Sequence, residues 1–206
     1  MKHSTQGSRL SRVIVGAIGL AIVVLVVAGL YRRYYGEPRR FAAVDEGILY
    51  RSGQPKPGEI GHLVNRIGLR TLIIAREDSS ENVQNELAFA RRHGLNIVHL
   101  PLVSRTPIPG DQIERFFQIV DDPHYQPALV HCSAGRHRTG LLCALYRIER
   151  QGWTRDEAVS EMLSFDPDMD RNRPIIQQLS RYEPGRMSRV TGTETAATGE
   201  GVDPAP

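Results

Sequence analysis

The eleven residues from Val130 to Gly140, VHCSAGRHRTG, restrict the fold of this chain more than any other stretch. They leave the apolar, strand-length run PALVHC and enter RTGLLCALYRIER, an apolar helix. A strand, a glycine-containing turn and a helix N-terminus gather several backbone N–H groups around one point, a geometry suited to a phosphate or sulfate dianion. Cys132 at the first turn and Arg138 six residues later add chemistry to that cradle. A thiol acts as a nucleophile once its pKa is lowered, and a helix N-terminus beside a guanidinium supplies the positive field. The planar fork of Arg138 can hold two oxygens of a phosphoryl group.

The remaining pattern alternates short apolar runs with helical periodicity. Gly47 to Tyr50 reads as a strand closed by a Gly and Pro turn, and PGEIGHLVNRIG as a helix with Ile60, Leu63, Val64 and Ile67 on one face. RTLIIA is a continuous apolar strand. It is followed by an amphipathic helix ending near Gly94, the strand NIVHLPL and the loop VSRTPIPG. Asp111 to Asp122 carries Ile113, Phe116, Phe117 and Val120 at helical spacing, with Asp111 and Glu114 as a capping box. TRDEAVSEMLSF opens with a second box, Thr154 and Glu157, and Trp153 as hydrophobic staple, and RPIIQQLSRYE reads as a last helix. This order predicts an α/β fold, a central mainly parallel sheet with helices on both faces, and a ligand site at the C-terminal end of a strand.

Val13 to Leu30 is apolar or glycine throughout, eighteen positions without a charge, as a membrane-spanning helix requires. Tyr31, Tyr34 and Tyr35 follow as an interfacial belt with Arg32 and Arg33. The competing reading, a cleaved signal peptide, lacks an A-x-A site. The expected organisation is a basic N-terminus at 1–12, a transmembrane anchor at 13–31, a linker at 32–43, the globular domain at 44–183 and a disordered tail at 184–206. Lys2, Arg9 and Arg12 before the span, against Arg32, Arg33, Arg39 and Arg40 after it, lean toward a cytoplasmic domain on a single-pass membrane protein. Two cysteines, Cys132 and Cys143, are too few for a disulfide framework, and a nucleophilic thiol must stay reduced. Repeats, zinc-type Cys/His spacing and nucleotide-binding glycine patterns do not occur. No metal, cofactor or nucleic-acid partner is expected.

HCSAGRHRTG resembles the signature loop of the cysteine-dependent protein tyrosine phosphatase superfamily, Cys-x5-Arg followed by Ser or Thr, and looks most like its dual-specificity branch. With YRSGQP and GWTRDEA, the stretch from Asp45 to Tyr182 is similar to the plant and fungal atypical dual-specificity phosphatases and their bacterial relatives. The resemblance implies the same α/β fold and a two-step transfer through a cysteinyl-phosphate on Cys132. Ser133, Ala134, Gly135, Arg136, His137 and Arg138 would bind the phosphate, and Thr139 would donate to the sulfur. His131 would orient the loop or simply pack.

The sequence departs from the family over the general acid. The loop LPLVSRTPIPG, where relatives place an aspartate, has no acidic residue before Asp111. Asp111, His137 and Asp78 are therefore all candidates. Arg136 and His137 make a multiply phosphorylated substrate credible beside a phosphoprotein: a phosphoinositide, an inositol phosphate or a pyrophosphate. A reading from another class, a phosphate-binding module with little turnover, stays open at this point, whereas Thr139 and Gly140 disfavour sulfur transfer.

Overall fold

The structure, a computed structural model, describes residues 5–77 and 80–187; the side chains of residues 5–11, 13 and 31–35 lie outside the description. Five strands, β1 (Ala42–Asp45), β2 (Leu49–Gly53), β3 (Thr71–Ala75), β4 (Asn96–Leu100) and β5 (Ala128–Cys132), form one sheet in the order β1-β2-β5-β3-β4. Only the edge pair β1 and β2 is antiparallel. The helices are α1 (Thr5–Tyr35), α2 (Pro57–Ile67), α3 (Glu81–Arg92), α4 (Gly110–Asp121), α5 (His137–Gln151), α6 (Arg155–Phe165) and α7 (Met169–Ser180).

Alternation along the central strands divides the core in two. Leu72 of β3 and Leu129 of β5 pack with Ile60 and Leu63 of α2 and Ala90 of α3. The next residues, Ile73 and Val130, point the other way, into Phe116 of α4 and Leu141 and Leu145 of α5. Successive strand side chains face opposite sides, so runs such as TLIIA and ALVHC must be apolar throughout, and all ten of these positions are buried. The parallel register sets Gly53 beside Cys132 and Ile74 beside His131, which carries the end of β2 up to the turn that follows Cys132.

Several expectations change in detail. β1 was not foreseen, because a four-residue edge strand has too little periodicity to read, and β2 runs three residues past Tyr50. The Thr154–Glu157 capping box forms on α6, whereas the Asp111–Glu114 box does not. The cap of α4 is Pro109, so the helix starts one residue before Asp111 and leaves that carboxylate in the first turn, where the dipole favours it. α7 begins at Met169 because the Asp168 side chain accepts from the Arg171 N–H, with Pro174 inside the helix.

α1 covers the apolar run, yet among the described residues no helix is long and apolar enough to cross a membrane. Val13 and Tyr31, the ends of the expected span, have no described side chains, and Asp78 and the tail from residue 188 lie outside the described residues.

Candidate active site

The site sits where β5 ends and α5 begins. Cys132 is the last residue of β5, residues 133–136 form the turn, and His137 opens α5. Gly135 adopts a left-handed φ of +68°, and a Cβ there would lie 2.5 Å from the Ser52 carbonyl carbon and oxygen. Only glycine lets the turn close against β2.

The loop's N–H groups point inward because its carbonyls are held from outside. Ser133 O accepts from the Gln54 N–H (3.2 Å), Ala134 O from Arg40 Nη1 (3.3 Å) and Gly135 O from Arg51 Nη2 (2.9 Å). In a trans peptide the carbonyl and the following N–H point in opposite directions. Pulling these three carbonyls outward therefore turns the N–H groups of Ala134, Gly135 and Arg136 toward the centre of the loop. Arg51 is 1% exposed, with its guanidinium 3.6 Å from the centroid of the Phe165 ring. Arg40 also donates from Nε to Phe165 O. Neither arginine carried a local signal in the sequence beyond YRSGQP, since each meets its partner across 84 or more positions of chain.

The two cysteines have opposite electrostatics. Burial by itself pushes the Cys132 thiol up. The Thr139 hydroxyl and N–H, the Arg138 charge and the Gly135 N–H outweigh it and bring the pKa down to about 7. Cys143, fully buried in α5, is pushed up to about 11 by burial. Both are free thiols. Arg138 donates from Nη1 to Leu102 O (2.9 Å) in the loop after β4, and its buried Nε has no protein partner among the described residues. The guanidinium is thus fixed at one edge, with its Nε–H uncommitted among the described residues.

His131 is fully buried, with Nε2 2.5 Å from Glu86 Oε1. Glu86 Oε2 accepts from Gln54 Nε2 (3.1 Å), and Gln54 Oε1 accepts from Arg76. The histidine is therefore tied through α3 to the same Gln54 whose N–H holds Ser133.

The acid candidates separate in space. Asp111 is exposed in the first turn of α4, and its carboxylate accepts from Gln112 Nε2 (2.9 Å). His137 Nε2 lies 2.9 Å from Oδ2 of Asp166, and Arg136 Nη1 lies 3.4 Å from Oδ1 of the same carboxylate. The sequence reading did not single out Asp166, which sits in the unremarkable run FDPDMD. Burial lowers the His137 pKa from its ordinary value, against a raising influence from Asp166 and lowering ones from Arg105 and Arg136.

Beside Ser133 opens a cavity of about 610 Å³, lined among others by Arg39, Gln54, Lys56, Asn82 and Arg92. Glu59, the one lining carboxylate among the described residues, is turned to the Lys56 N–H as the cap of α2.

A low-pKa thiol and an arginine, delivered by a parallel sheet into a ring of inward N–H groups, define the class of cysteine-based phosphate-loop proteins. The chain belongs to the tyrosine phosphatase family, whose profile matches residues 36–179. OCA1 of Yarrowia lipolytica is 40% identical over 122 residues, covering 56% of this chain and 46% of that protein. SIW14 of Saccharomyces cerevisiae, an inositol diphosphatase, is 27% identical over 158 residues, covering 74% of this chain and 54% of that protein. The chain spans about half the length of these two curated relatives. The SIW14 core catalytic domain superposes with a TM-score of 0.64 at 26% identity, covering 73% of this chain and 90% of that one. TpbA of Pseudomonas aeruginosa, a dual specificity protein phosphatase, superposes with a TM-score of 0.55 at 25% identity, covering 66% and 80%.

Proposed function

We propose that this protein is a phosphatase working through a cysteinyl-phosphate intermediate, with multiply phosphorylated inositol compounds, pyrophosphates included, as its substrates. The observation that carries the chemistry is the Cys132 thiol, 2% exposed yet brought down to about 7 at the base of the loop. Near neutral pH a large share of it is thiolate. The thiolate attacks phosphorus while the loop N–H groups and Arg138 hold the equatorial oxygens as charge builds. Thr139, fully buried against the sulfur, stabilises the thiolate when water displaces it in the second step.

The substrate reading rests on the cavity beside Ser133. A scissile phosphate seated in the loop places the rest of the substrate against a wall carrying Arg39, Lys56 and Arg92. Further phosphates on one small ring complement such a wall, and SIW14 supports the same reading as an inositol diphosphatase. Phosphoproteins are the second reading, favoured by the similarity to TpbA. Comparing inositol pyrophosphates, phosphoinositides and phosphotyrosine peptides separates the two. On the first reading, Arg39→Ala combined with Arg92→Ala raises KM for the inositol substrate about 10-fold more than for a simple aryl phosphate, as expected for two lost charge-assisted contacts. Equal changes on both substrates would remove the cavity from substrate binding.

Attachment to a membrane is a separate proposal. The large apolar side chains of α1 between Ile14 and Leu30 are 49% to 71% exposed among the described residues. Lipid is the environment that would cover such a helix, and a reduced thiol suits a cytoplasmic domain. Full-length protein is expected to stay with membranes through alkaline carbonate extraction, and protein starting at Phe41 to be released; release of both would remove the anchor.

A further inference from the structure

We infer that His137 supplies the leaving-group proton and that Asp166 is the residue that positions it, an inference that rests on the phosphatase reading above. Asp166 caps the C-terminal end of α6 and is 3% exposed. A buried carboxylate is disfavoured there, because the negative end of the helix dipole meets it. Its two oxygens turn to consecutive residues of the phosphate loop, Oδ2 to His137 and Oδ1 to Arg136. The segment is also held through its backbone. Buried Asn172 donates from Nδ2 to Asp166 O (2.9 Å) and Asp168 O (2.8 Å).

The contact orients the imidazole. Nε2 is the ring nitrogen that faces Asp166, which leaves Nδ1, on the residue next to Arg138, as the nitrogen turned away from that carboxylate. The loop after β4 offers a cation, Arg105, where an acid was expected, and Asp111 is engaged with Gln112. The charged groups facing His137 are Asp166 from the end of α6, Arg136 from the phosphate loop, Arg105 from the loop after β4 and Asp168 from the turn into α7. The first favours the imidazolium, and the two arginines oppose it.

The proton balance closes over the two steps. As the S–P bond forms and the bond to the leaving oxygen breaks, the imidazolium passes its Nδ1 proton to that oxygen. The neutral imidazole then takes a proton from water as the new O–P bond forms, the S–P bond breaks and Cys132 departs as thiolate.

The test compares wild type, His137→Asn, Asp166→Asn and Asp166→Glu on p-nitrophenyl phosphate, whose leaving group needs little protonation, and on phenyl phosphate, whose leaving group needs more. Wild type should show a bell-shaped pH dependence of kcat/KM on phenyl phosphate, because the reactive form pairs thiolate with imidazolium. His137→Asn should lower that rate about 10²-fold, lose the bell and keep only a rise with pH through about 7 from Cys132. Its loss on p-nitrophenyl phosphate should be no more than a few-fold. Asp166→Asn removes the carboxylate that favours the imidazolium. The optimum on phenyl phosphate should therefore move to lower pH and the rate fall about 10-fold, with Asp166→Glu recovering part of both. Equal losses on the two substrates, or an unmoved optimum in Asp166→Asn, would overturn the inference while leaving the phosphatase reading intact. Absence of wild-type turnover on both substrates would remove the phosphatase reading and the inference with it.

Discussion

Cys132→Ser is expected to abolish turnover, by on the order of 10⁴-fold or more, while inorganic phosphate still binds. A serine hydroxyl keeps the loop's shape but does not ionise near neutral pH, so the attacking anion disappears. The N–H groups of Ala134, Gly135 and Arg136 and the Nε–H of Arg138 remain in place, because what holds them is Gln54, Arg40, Arg51 and Leu102 rather than the sulfur. Turnover measured on p-nitrophenyl phosphate, with phosphate binding followed by calorimetry, checks both halves. Undiminished turnover in the variant would refute the covalent mechanism. Loss of phosphate binding together with turnover would mean that the sulfur, not the outside clamps, organises the loop.

The second large effect is expected at Gly135→Ala. The new methyl would lie 2.5 Å from the Ser52 carbonyl on a residue held at φ +68°. Both terms force the loop away from β2 and break the Arg51 contact to Gly135 O, so several N–H groups lose their aim together. Losing even one transition-state donor costs roughly 10² to 10³ in rate, and at least that loss is expected here, with a lowered melting temperature. Gly152→Ala is the matched control. It has nearly the same φ, +69°, at the C-cap of α5, but open space where the methyl would go. It should cost about 1 kcal/mol of stability and leave kcat unchanged. Equal kinetic effects from the two substitutions would show that the close approach to Ser52 is not what shapes the loop.

Much of the fold was legible because its signals are local. Runs such as RTLIIA and PALVHC announce strands buried on both faces, and they proved to be β3 and β5. β1 escaped because four residues at a sheet edge carry no period. The lack of a carboxylate in the loop after β4 was itself legible in the sequence. A loop with Arg105 in place of a carboxylate turns attention to the other wall of the site, where Asp166 meets His137. Periodicity could not reveal Asp166, since a buried aspartate after a helix reads like any helix end.

Cys132, Arg138 and the strand–turn–helix pattern that carries them could be read from the chain alone. Cys132 to Gly140 is one contiguous stretch in which a strand end, a turn with Gly135 and a helix start follow one another. Tertiary structure decided how that cradle is aimed and what surrounds it. Arg40 and Arg51 take the loop's carbonyls, Glu86 and Gln54 anchor His131, and Asp166 faces His137, each from another part of the chain. The physical reason is that a peptide's N–H points opposite its carbonyl. The inward face of the loop is therefore set by whatever binds its outward face, and only the packed sheet brings those partners there.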